Sequence, residues 1–206
     1  MTSLQKALRM AIAAAGVIVA LAIPASASAG VLVTDGQNCD TQQFSQPFLP
    51  WADLASYTLN PGGSFEPGSP KWSLDGASMA GGNEPFYVTS ADDRRSLSIP
   101  DGASATSRAI CVGIEHPDIR FFAQASSPTA RLNVEVLFED ALGNVQSRPI
   151  GAVTGNTGWA PTPPYAVGVN LLPLLPGSHT AIAFRFNATG GDFAIDDVYV
   201  DPFSRW

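Results

Sequence analysis

Lysine is almost missing from this chain, and basic side chains in general are scarce. After the first 29 residues the only lysine is Lys71, and nine basic residues stand against 18 acidic ones, a formal net charge of −9. A surface with this balance repels nucleic acid and anionic lipid, and it suits neutral ligands or cations better. The charge therefore argues against nucleic-acid binding and against binding to acidic membranes.

Long hydrophobic runs are missing as well, except at the start of the chain. Lys6 and Arg9 precede an apolar run of 13 residues, Ala11–Ile23, which Pro24 ends before the small residues Ala25–Ala29. This order is typical of a secretory signal peptide, with cleavage after Ala29. The alternative, a membrane anchor, would need about 20 apolar residues. We therefore expect residues 1–29 to be a leader and the protein to be secreted, with no membrane contact after cleavage.

The remaining segment, residues 30–206, has the length of one domain with a full core, and it shows no internal repeat or linker. Its cysteines are few, namely Cys39 and Cys111, and its histidines are two and scattered, so a zinc site is not indicated. In an exported chain two cysteines favour a disulfide bond. Two buried free thiols are the alternative.

No convincing amphipathic helix is present, and short alternating runs separated by turn residues take its place. The clearest run is Arg131–Phe138, and Ala181–Phe186 alternates in the same way. Shorter runs such as Phe86–Val88 are also predicted as strands. Many short strands at close spacing indicate an all-β fold, a two-sheet antiparallel β-sandwich or barrel.

The last strand-like stretch, residues 191–202, contains two adjacent acids in an apolar run. Successive side chains of a strand point to opposite faces, so Phe193, Ile195 and Asp197 share one face and Asp196 takes the other. The alternation thus predicts that one carboxylate points inward. A buried carboxylate must be hydrogen-bonded, paired or bound to a metal. Another acidic pair, Asp92–Asp93, is interpreted as a solvated turn.

Three segments carry a resemblance to a known family. Asn60–Glu66 followed by Trp72, the strand Arg131–Asp140 and the closing Phe193–Val198 resemble motifs of jelly-roll carbohydrate-binding modules attached to xylanases and endoglucanases. The resemblance covers about residues 57–201 and implies a galactose-binding-like β-sandwich. It departs from the family in Pro61 and an additional glycine of the opening motif.

In that family a structural calcium often ties the opening glutamate to an aspartate of the closing strand. The resemblance therefore implies Glu66 with Asp196 or Asp197 as calcium ligands, and oxygen ligands are what this hard cation requires. The alternative is that the inward aspartate accepts backbone N–H groups and that no metal is present.

Sugar-binding sites use aromatic faces that stack on pyranose rings, with amide and carboxylate groups beside them. The best candidates here are Trp159 and Tyr165, with Asn156 close to the tryptophan in the sequence. Trp51, Trp72 and Tyr87 are further aromatics to consider, although Trp72 suits a core position. The alternative for Trp159 is a ring that closes one end of the sandwich.

Features of an enzyme are weak. The chain contains no G-x-S-x-G sequence, and its two histidines, His116 and His179, lie beside turn residues. A glycosidase needs two carboxylates across a cleft, for which Glu135, Glu139 and Asp140 are the candidates, although the last two resemble the start of a turn. We therefore expect no enzymatic activity.

The sequence thus predicts an exported, non-catalytic module that binds a neutral glycan or another extracellular ligand. A secreted structural or protein-interaction domain without sugar affinity is the alternative, and a small hydrolase is a third hypothesis.

Overall fold

The computed structural model describes residues 32, 42–69, 72–113, 117–140, 142–168 and 179–202. The predicted leader, Cys39 and His116 lie outside these residues. Within them, no helix is long and apolar enough to cross a membrane.

Almost all regular structure in the described residues is β-strand, apart from a 3-10 turn at Leu49–Trp51. The strands are β1 (Phe44–Ser45), β2 (Tyr57–Leu59), β3 (Ser73–Asp75), β4 (Ser78–Gly81), β5 (Arg95–Ile99), β6 (Ser104–Thr106), β7 (Ile110–Gly113), β8 (Asp118–Ala125), β9 (Arg131–Glu139), β10 (Val145–Thr154), β11 (Ala160–Pro161), β12 (Tyr165–Ala166), β13 (His179–Thr189) and β14 (Phe193–Asp201).

These strands form two antiparallel sheets. Sheet A contains eight strands in the order β1-β2-β14-β5-β4, with β8 beside β14 and the short β11 and β12 paired to β8. Sheet B contains six strands in the order β10-β9-β13-β6-β3, with β7 also paired to β13. The predicted all-β, two-sheet antiparallel sandwich is confirmed.

The main core lies between the two sheets. Every second residue of β9, beginning with Leu132, Val134 and Val136, points into it, and Phe184 and Phe186 of β13 meet them from the neighbouring strand. The alternation of both runs therefore predicts their inward faces correctly. Trp72 is also a core residue, with its indole N–H donating to the Pro61 carbonyl at 3.0 Å.

A second, smaller cluster covers the outer face of sheet A. Phe122 and Tyr199 alternate with core residues on β8 and β14, so they point away from sheet B. Phe48 and Tyr57, from the segment that precedes and forms β2, pack on them. This segment therefore behaves as part of the domain, because it buries aromatic surface that sheet A would otherwise expose.

An ion pair holds the same segment in place. Arg120 of β8 is buried, forms a salt bridge with Asp53, and lies 4.2 Å above the centre of the Phe48 ring. Tyr57 donates its hydroxyl to the same Asp53 carboxylate at 2.8 Å, and Arg120 also donates to the Thr162 carbonyl. Asp53 therefore joins the N-terminal segment to the middle of sheet A.

Cys111 is buried in β7, on a strand that pairs with β13. Because Cys39 lies outside the described residues, the Cys39–Cys111 disulfide stays a prediction.

Candidate functional site

A β-bulge interrupts β14 at its two adjacent acids. The pairing with β8 shifts register between Asp196 and Tyr199, and Asp197 has a positive φ of 47°. Asp tolerates this left-handed conformation better than most residues. The additional residue changes the phase of the alternation, so that Ile195 and Val198 both face the core. The unbroken alternation from which one inward carboxylate was predicted is therefore interrupted at these two residues.

Both acids are nevertheless fully buried, beneath the loop that joins β4 to β5. Asp196 accepts the backbone N–H of Glu84 at 3.1 Å and that of Asp197 at 2.9 Å. Asp197 accepts the Thr89 hydroxyl at 2.7 Å through Oδ1, whereas its Oδ2 has no hydrogen-bond partner among the described residues. Hydrogen bonds from backbone N–H groups, the alternative to a metal, therefore account for the burial of Asp196. They do not account for Asp197, because its Oδ2 atom lacks a partner among the described residues.

Two further carboxylates belong to this group. Glu84 is fully buried, and its side chain accepts the N–H groups of Phe86 and Val88. Asp93 is only 7% exposed, and its Oδ2 has no partner among the described residues. The interpretation of Asp93 as a solvated turn residue is therefore wrong, whereas its neighbour Asp92 is exposed as expected.

The carboxylates interact electrostatically. Burial, followed by the negative charge of Asp197, raises the pKa of Asp196 to about 9. Burial is also the main cause that raises the pKa of Asp197 to about 7, and Glu84 and Asp93 add to it. The pKa of Asp93 is raised by burial and by the nearby Glu66. Burial and the neighbouring carboxylates thus make the charged forms of these carboxyls unfavourable.

Glu66, the third residue of the predicted calcium site, lies at the border of the same group. Its Oε1 accepts the backbone N–H groups of Arg94 and Arg95 at 2.6 and 2.7 Å, at the end of the β4–β5 loop. These hydrogen bonds attach Glu66 to the loop that covers Asp196 and Asp197, and its negative charge contributes to the raised pKa of Asp93. We call Glu66, Glu84, Asp93, Asp196 and Asp197 the carboxylate cluster.

The chemistry of the carboxylate cluster suits a hard cation, although its geometry does not form a ready site. It offers only oxygen ligands, which calcium requires, and two buried oxygens, one on Asp93 and one on Asp197, have no partner among the described residues. Within the described residues, no salt bridge joins any of these acids to a basic side chain. However, no three His, Cys, Asp or Glu side chains of the described residues are arranged as a ready metal site.

The predicted sugar-binding residues do not come together. Trp159 is half-buried and packs on the cluster at the outer face of sheet A. Asn156 is exposed in the loop before it, where its side chain accepts the Gly158 N–H at 3.3 Å. Tyr165 packs instead on the core between the sheets and donates its hydroxyl to the Ala152 carbonyl of β10 at 3.0 Å.

Tyr165 supports a groove on the opposite side of the molecule. The outer face of sheet B has a cavity of about 380 Å³ at a β-bulge of β10 between Pro149 and Gly151. A Cβ atom on Gly151 would lie 2.3 Å from Cδ1 of Tyr165, so the glycine lets the ring pack directly beneath this strand. We call this cavity the sheet-B groove, and it is lined by Arg131, Asn133, Glu135, Pro149, Gly151, Ala152 and Asn187.

Polar side chains of the sheet-B groove form a connected row. Arg185 donates to Oε2 of Glu135 at 2.7 Å, and the Asn187 amide donates to the same oxygen at 3.4 Å. On the neighbouring position of β9, Arg131 donates to Oδ1 of Asn133 at 2.9 Å. The row contains two guanidinium groups and one carboxylate, and these side chains are half-buried or exposed, so that the groove offers hydrogen-bond donors and acceptors to a polar ligand.

The carboxylates considered for a glycosidase do not line this groove together. Glu135 lies in it, whereas Asp140 accepts the N–H groups of Leu142 and Asn144 and so closes the β9–β10 hairpin. Among the residues that the structure describes, the lining contains one carboxylate. This arrangement agrees with the interpretation of Asp140 as a turn residue.

Comparison with known proteins gives likenesses of structure alone. No protein-family model and no curated protein matches the chain. Among solved structures, the C-terminal family 22 carbohydrate-binding module of a Clostridium thermocellum xylanase is similar over 75% of this chain and 99% of the module, with 16% identity and a TM-score of 0.46. A C-terminal family 6 carbohydrate-binding module of a laminarinase from Zobellia galactanivorans is similar over 69% of this chain and 96% of the module, with 9% identity and a TM-score of 0.45.

A tailspike domain of bacteriophage CBA120, described as enzymatically active, is similar over 69% of this chain, with 19% identity and a TM-score of 0.45. The chain spans 21% of that structure, and 26% of a second C. thermocellum xylanase structure. The similar structures thus include carbohydrate-binding modules, the family that the sequence motifs resemble. At these TM-scores they do not bear on the ligand, and the assignment of an antiparallel β-sandwich stands on the sheet topology.

Proposed function

We propose that this protein is an exported, non-catalytic module that binds a neutral glycan in the sheet-B groove. The observation that carries the proposal is the groove itself, a cavity of about 380 Å³ with fixed amide, guanidinium and carboxylate groups on one open sheet face. A linear saccharide presents hydroxyl groups along its length, and each can both donate and accept a hydrogen bond. The row formed by Glu135, Arg185 and Asn187 offers donors and acceptors for hydrogen bonds to such hydroxyl groups.

The electrostatics of the groove support a neutral ligand. Glu135 is neutralised by Arg185 at 2.7 Å, and Arg131 donates to the neutral Asn133, so that the net charge of these groove residues is one guanidinium group. The surrounding chain carries an excess of acidic residues, which disfavours anionic polymers. The presence of one carboxylate among the lining residues supports binding without hydrolysis, since glycosidases use a pair.

We also propose that the carboxylate cluster binds a structural calcium ion. Glu66, Asp196 and Asp197 were expected as ligands, and Glu84 and Asp93 are added by the structure. The ion would neutralise the buried charge and supply the missing partners of the Asp93 and Asp197 oxygens. Because the side chains do not converge into a ready metal site, binding requires that they draw together.

The residues that the sequence predicted as sugar-binding, Trp159, Tyr165 and Asn156, have different roles in this proposal. Tyr165 is a positioning residue that supports the groove from inside through Gly151 and Ala152. Trp159 and Asn156 lie on the side of sheet A, and their contact with a ligand stays a prediction.

The test is affinity electrophoresis of residues 30–206 in gels that contain neutral polysaccharides, with soluble xylohexaose and β-1,4-galactotriose as competitors. The substitutions Asn133→Ala and Asn187→Ala remove half-buried amides from the groove, and Leu142→Ala removes an exposed side chain from the distant hairpin. We expect retardation of the wild type and of Leu142→Ala, and its loss in the two groove variants. If no polysaccharide retards the wild type, the proposed function is wrong.

A further inference from the structure

One end of the sheet-B groove carries a guanidinium group that pairs with no carboxylate among the described residues. Arg185 donates both its Nε and a terminal nitrogen to Glu135, so these two charges cancel. Arg131, the first residue of β9, donates its Nε–H to the neutral Asn133, and its terminal N–H groups have no partner in the described part of the chain. The described lining of the groove therefore has one uncompensated positive charge, at its Arg131 end.

The strand register places a hydroxyl group on each side of this guanidinium. Arg131 lies directly opposite Thr154 of β10 and Thr189 of β13. All three side chains are exposed on the outer face of sheet B, because their neighbours Leu132 and Ala188 point into the core. The hydroxyl of Thr189 donates to the Arg131 carbonyl at 3.2 Å. We call these three residues the Arg131 row, which offers a guanidinium group and two hydroxyls to one ligand group.

The chemistry of the Arg131 row suits a carboxylate. The N–H donors of a guanidinium group lie in one plane, and a carboxylate accepts two of them in parallel. Its remaining lone pairs accept hydrogen bonds from hydroxyl groups, whereas a single sugar hydroxyl can satisfy only part of this donor set. A carboxylate also supplies the negative charge that the other lining residues do not offer to Arg131.

We infer that the glycan bound in the sheet-B groove is a largely neutral chain with isolated uronic acid residues, and that Arg131 binds the uronic acid carboxylate. This inference rests on the proposed glycan-binding function and narrows the class of its ligand. Alternate residues of a strand are about 7 Å apart. Asn133, two positions along β9, and Glu135, four positions along, therefore contact the neutral sugars, while the acidic sugar lies at the end of the groove.

The charge of the whole chain limits the ligand to isolated carboxylates. The sequence has 18 acidic residues and 11 basic ones, so its surface repels a polymer that carries a charge on every sugar. One guanidinium group can compensate one carboxylate and leaves that repulsion in place for the others. Sparse acidic substituents are therefore compatible with the groove, and dense ones are not.

Calorimetric titration of matched saccharides tests the inference. The probes are xylohexaose and β-1,4-galactotriose, each unsubstituted, with one glucuronic acid residue, and with that residue as its uncharged methyl ester. At low ionic strength we expect the wild type to bind the acidic form about fivefold more tightly than the unsubstituted form, the upper range for an exposed ion pair. The ester should bind like the unsubstituted form. The preference should shrink in about 1 M salt, where the Debye length is about 3 Å.

Arg131→Gln tests the residue itself. Glutamine keeps an amide donor for Asn133 but carries no charge, so the ratio of the two affinities should fall from about fivefold to about one. The matched control is Arg95→Gln, which removes an exposed guanidinium group from β5 of sheet A and should keep the ratio. A general loss of binding cancels in this ratio, and the methyl ester gives the same test on the wild type without any substitution.

The possible results separate the inference from the proposed function. Equal affinity of the wild type for acidic and unsubstituted forms would overturn the inference and leave the proposed function intact. A preference that persists in Arg131→Gln, or that the methyl ester shares, would also overturn it. Tighter binding of polygalacturonate than of the singly substituted saccharides would replace it with a general site for polyanions. If neither saccharide binds in any form, both the inference and the proposed function fail.

Discussion

The backbone N–H of Glu84 donates to the Asp196 carboxylate at 3.1 Å, although 112 residues separate the two. Both side chains are fully buried, so the bond joins the β4–β5 loop to the closing strand at a place where negative charge has little access to water. The Asp197 oxygen beside it has no partner in the described residues. A cation bound at this junction would supply a counter-charge and a partner for that oxygen.

Calcium is therefore expected to stabilise the folded protein. At a hundredfold excess over its Kd, a ligand bound only by the folded state adds about 2.7 kcal/mol, which corresponds to roughly 5–10 °C in Tm for a domain of this size. Differential scanning calorimetry in calcium and in excess chelator measures the difference. An identical Tm in calcium and in chelator, with no metal found by elemental analysis, would show that the protein binds no structural calcium.

Asp197→Asn is expected to weaken calcium binding by the carboxylate cluster. Asparagine tolerates the positive φ of this position and keeps the acceptor for Thr89, but it carries no charge. In chelator the variant should melt above the wild type, because one uncompensated buried charge is gone, and calcium should raise its Tm less. The control is Asp75→Asn, at an exposed position of β3, which should respond to calcium as the wild type does.

The ion pair between Asp53 and Arg120 should give the N-terminal segment an acid-sensitive attachment. Hydrogen bonds from Ala55, Tyr57 and Arg120 hold the pKa of Asp53 below its ordinary value of 3.8, although burial acts against them. A carboxyl with a lowered pKa stabilises the folded state above its unfolded pKa, and this stabilisation is lost as the pH falls through the folded pKa.

We therefore expect Asp53→Asn to unfold more easily than the wild type at pH 7, by about 1.5–3 kcal/mol, the usual contribution of a hydrogen bond to a charged group. Below about pH 3.8 the difference between the two should shrink towards zero. Urea unfolding of both proteins across this range measures it. A constant difference down to the lowest pH would show that the charge of Asp53 plays no part.

Gly151 and Tyr165 should behave as one unit beneath the groove. A methyl group at Gly151 would meet the Tyr165 ring at 2.3 Å, so Gly151→Ala must displace the ring and should cost about 1–3 kcal/mol. In the double variant with Tyr165→Ala the clash disappears, and the two costs should not add. Additive costs in urea unfolding would contradict direct packing of the ring against β10.

The disulfide prediction has a simple chemical test. With two cysteines in the chain, an oxidised Cys39–Cys111 pair leaves no thiol for alkylation before reduction and two after it. Cys111→Ser should lower the stability by about 2–5 kcal/mol, as removal of native disulfides from secreted domains does. Two reactive thiols in the unreduced, unfolded protein would rule the bridge out.

The fold was accessible from the sequence because its strands obey strict alternation. Leu132, Val134 and Val136 point to one side of β9 whatever the rest of the chain does, and a sandwich is the simplest way to cover them. The bulge in β14 was not accessible, since one additional residue in a strand leaves no trace in its composition. The interpretation of Asp196 and Asp197 therefore assumed an alternation that the bulge interrupts, and it expected one inward carboxylate where two are buried.

Parts of the site depend on contacts across long distances in the chain. Glu84 and Asp93 meet the closing strand only through the fold of the β4–β5 loop, and neither has a local pattern that distinguishes it from a solvated acid. Phe86 and Val88 were predicted as parts of a short strand, but the Glu84 side chain takes their N–H groups, and the segment forms a loop instead.

The central claim is that a neutral saccharide binds in the sheet-B groove, and nuclear magnetic resonance tests it most directly. Titration of xylohexaose, or of another oligosaccharide that retards the protein in gels, should shift the backbone amide signals of Asn133, Gly151 and Asn187, with the side-chain amides of both asparagines. Two results would contradict this claim. One is that the saccharide shifts only signals of residues outside the groove, and the other is that no signal shifts at millimolar saccharide.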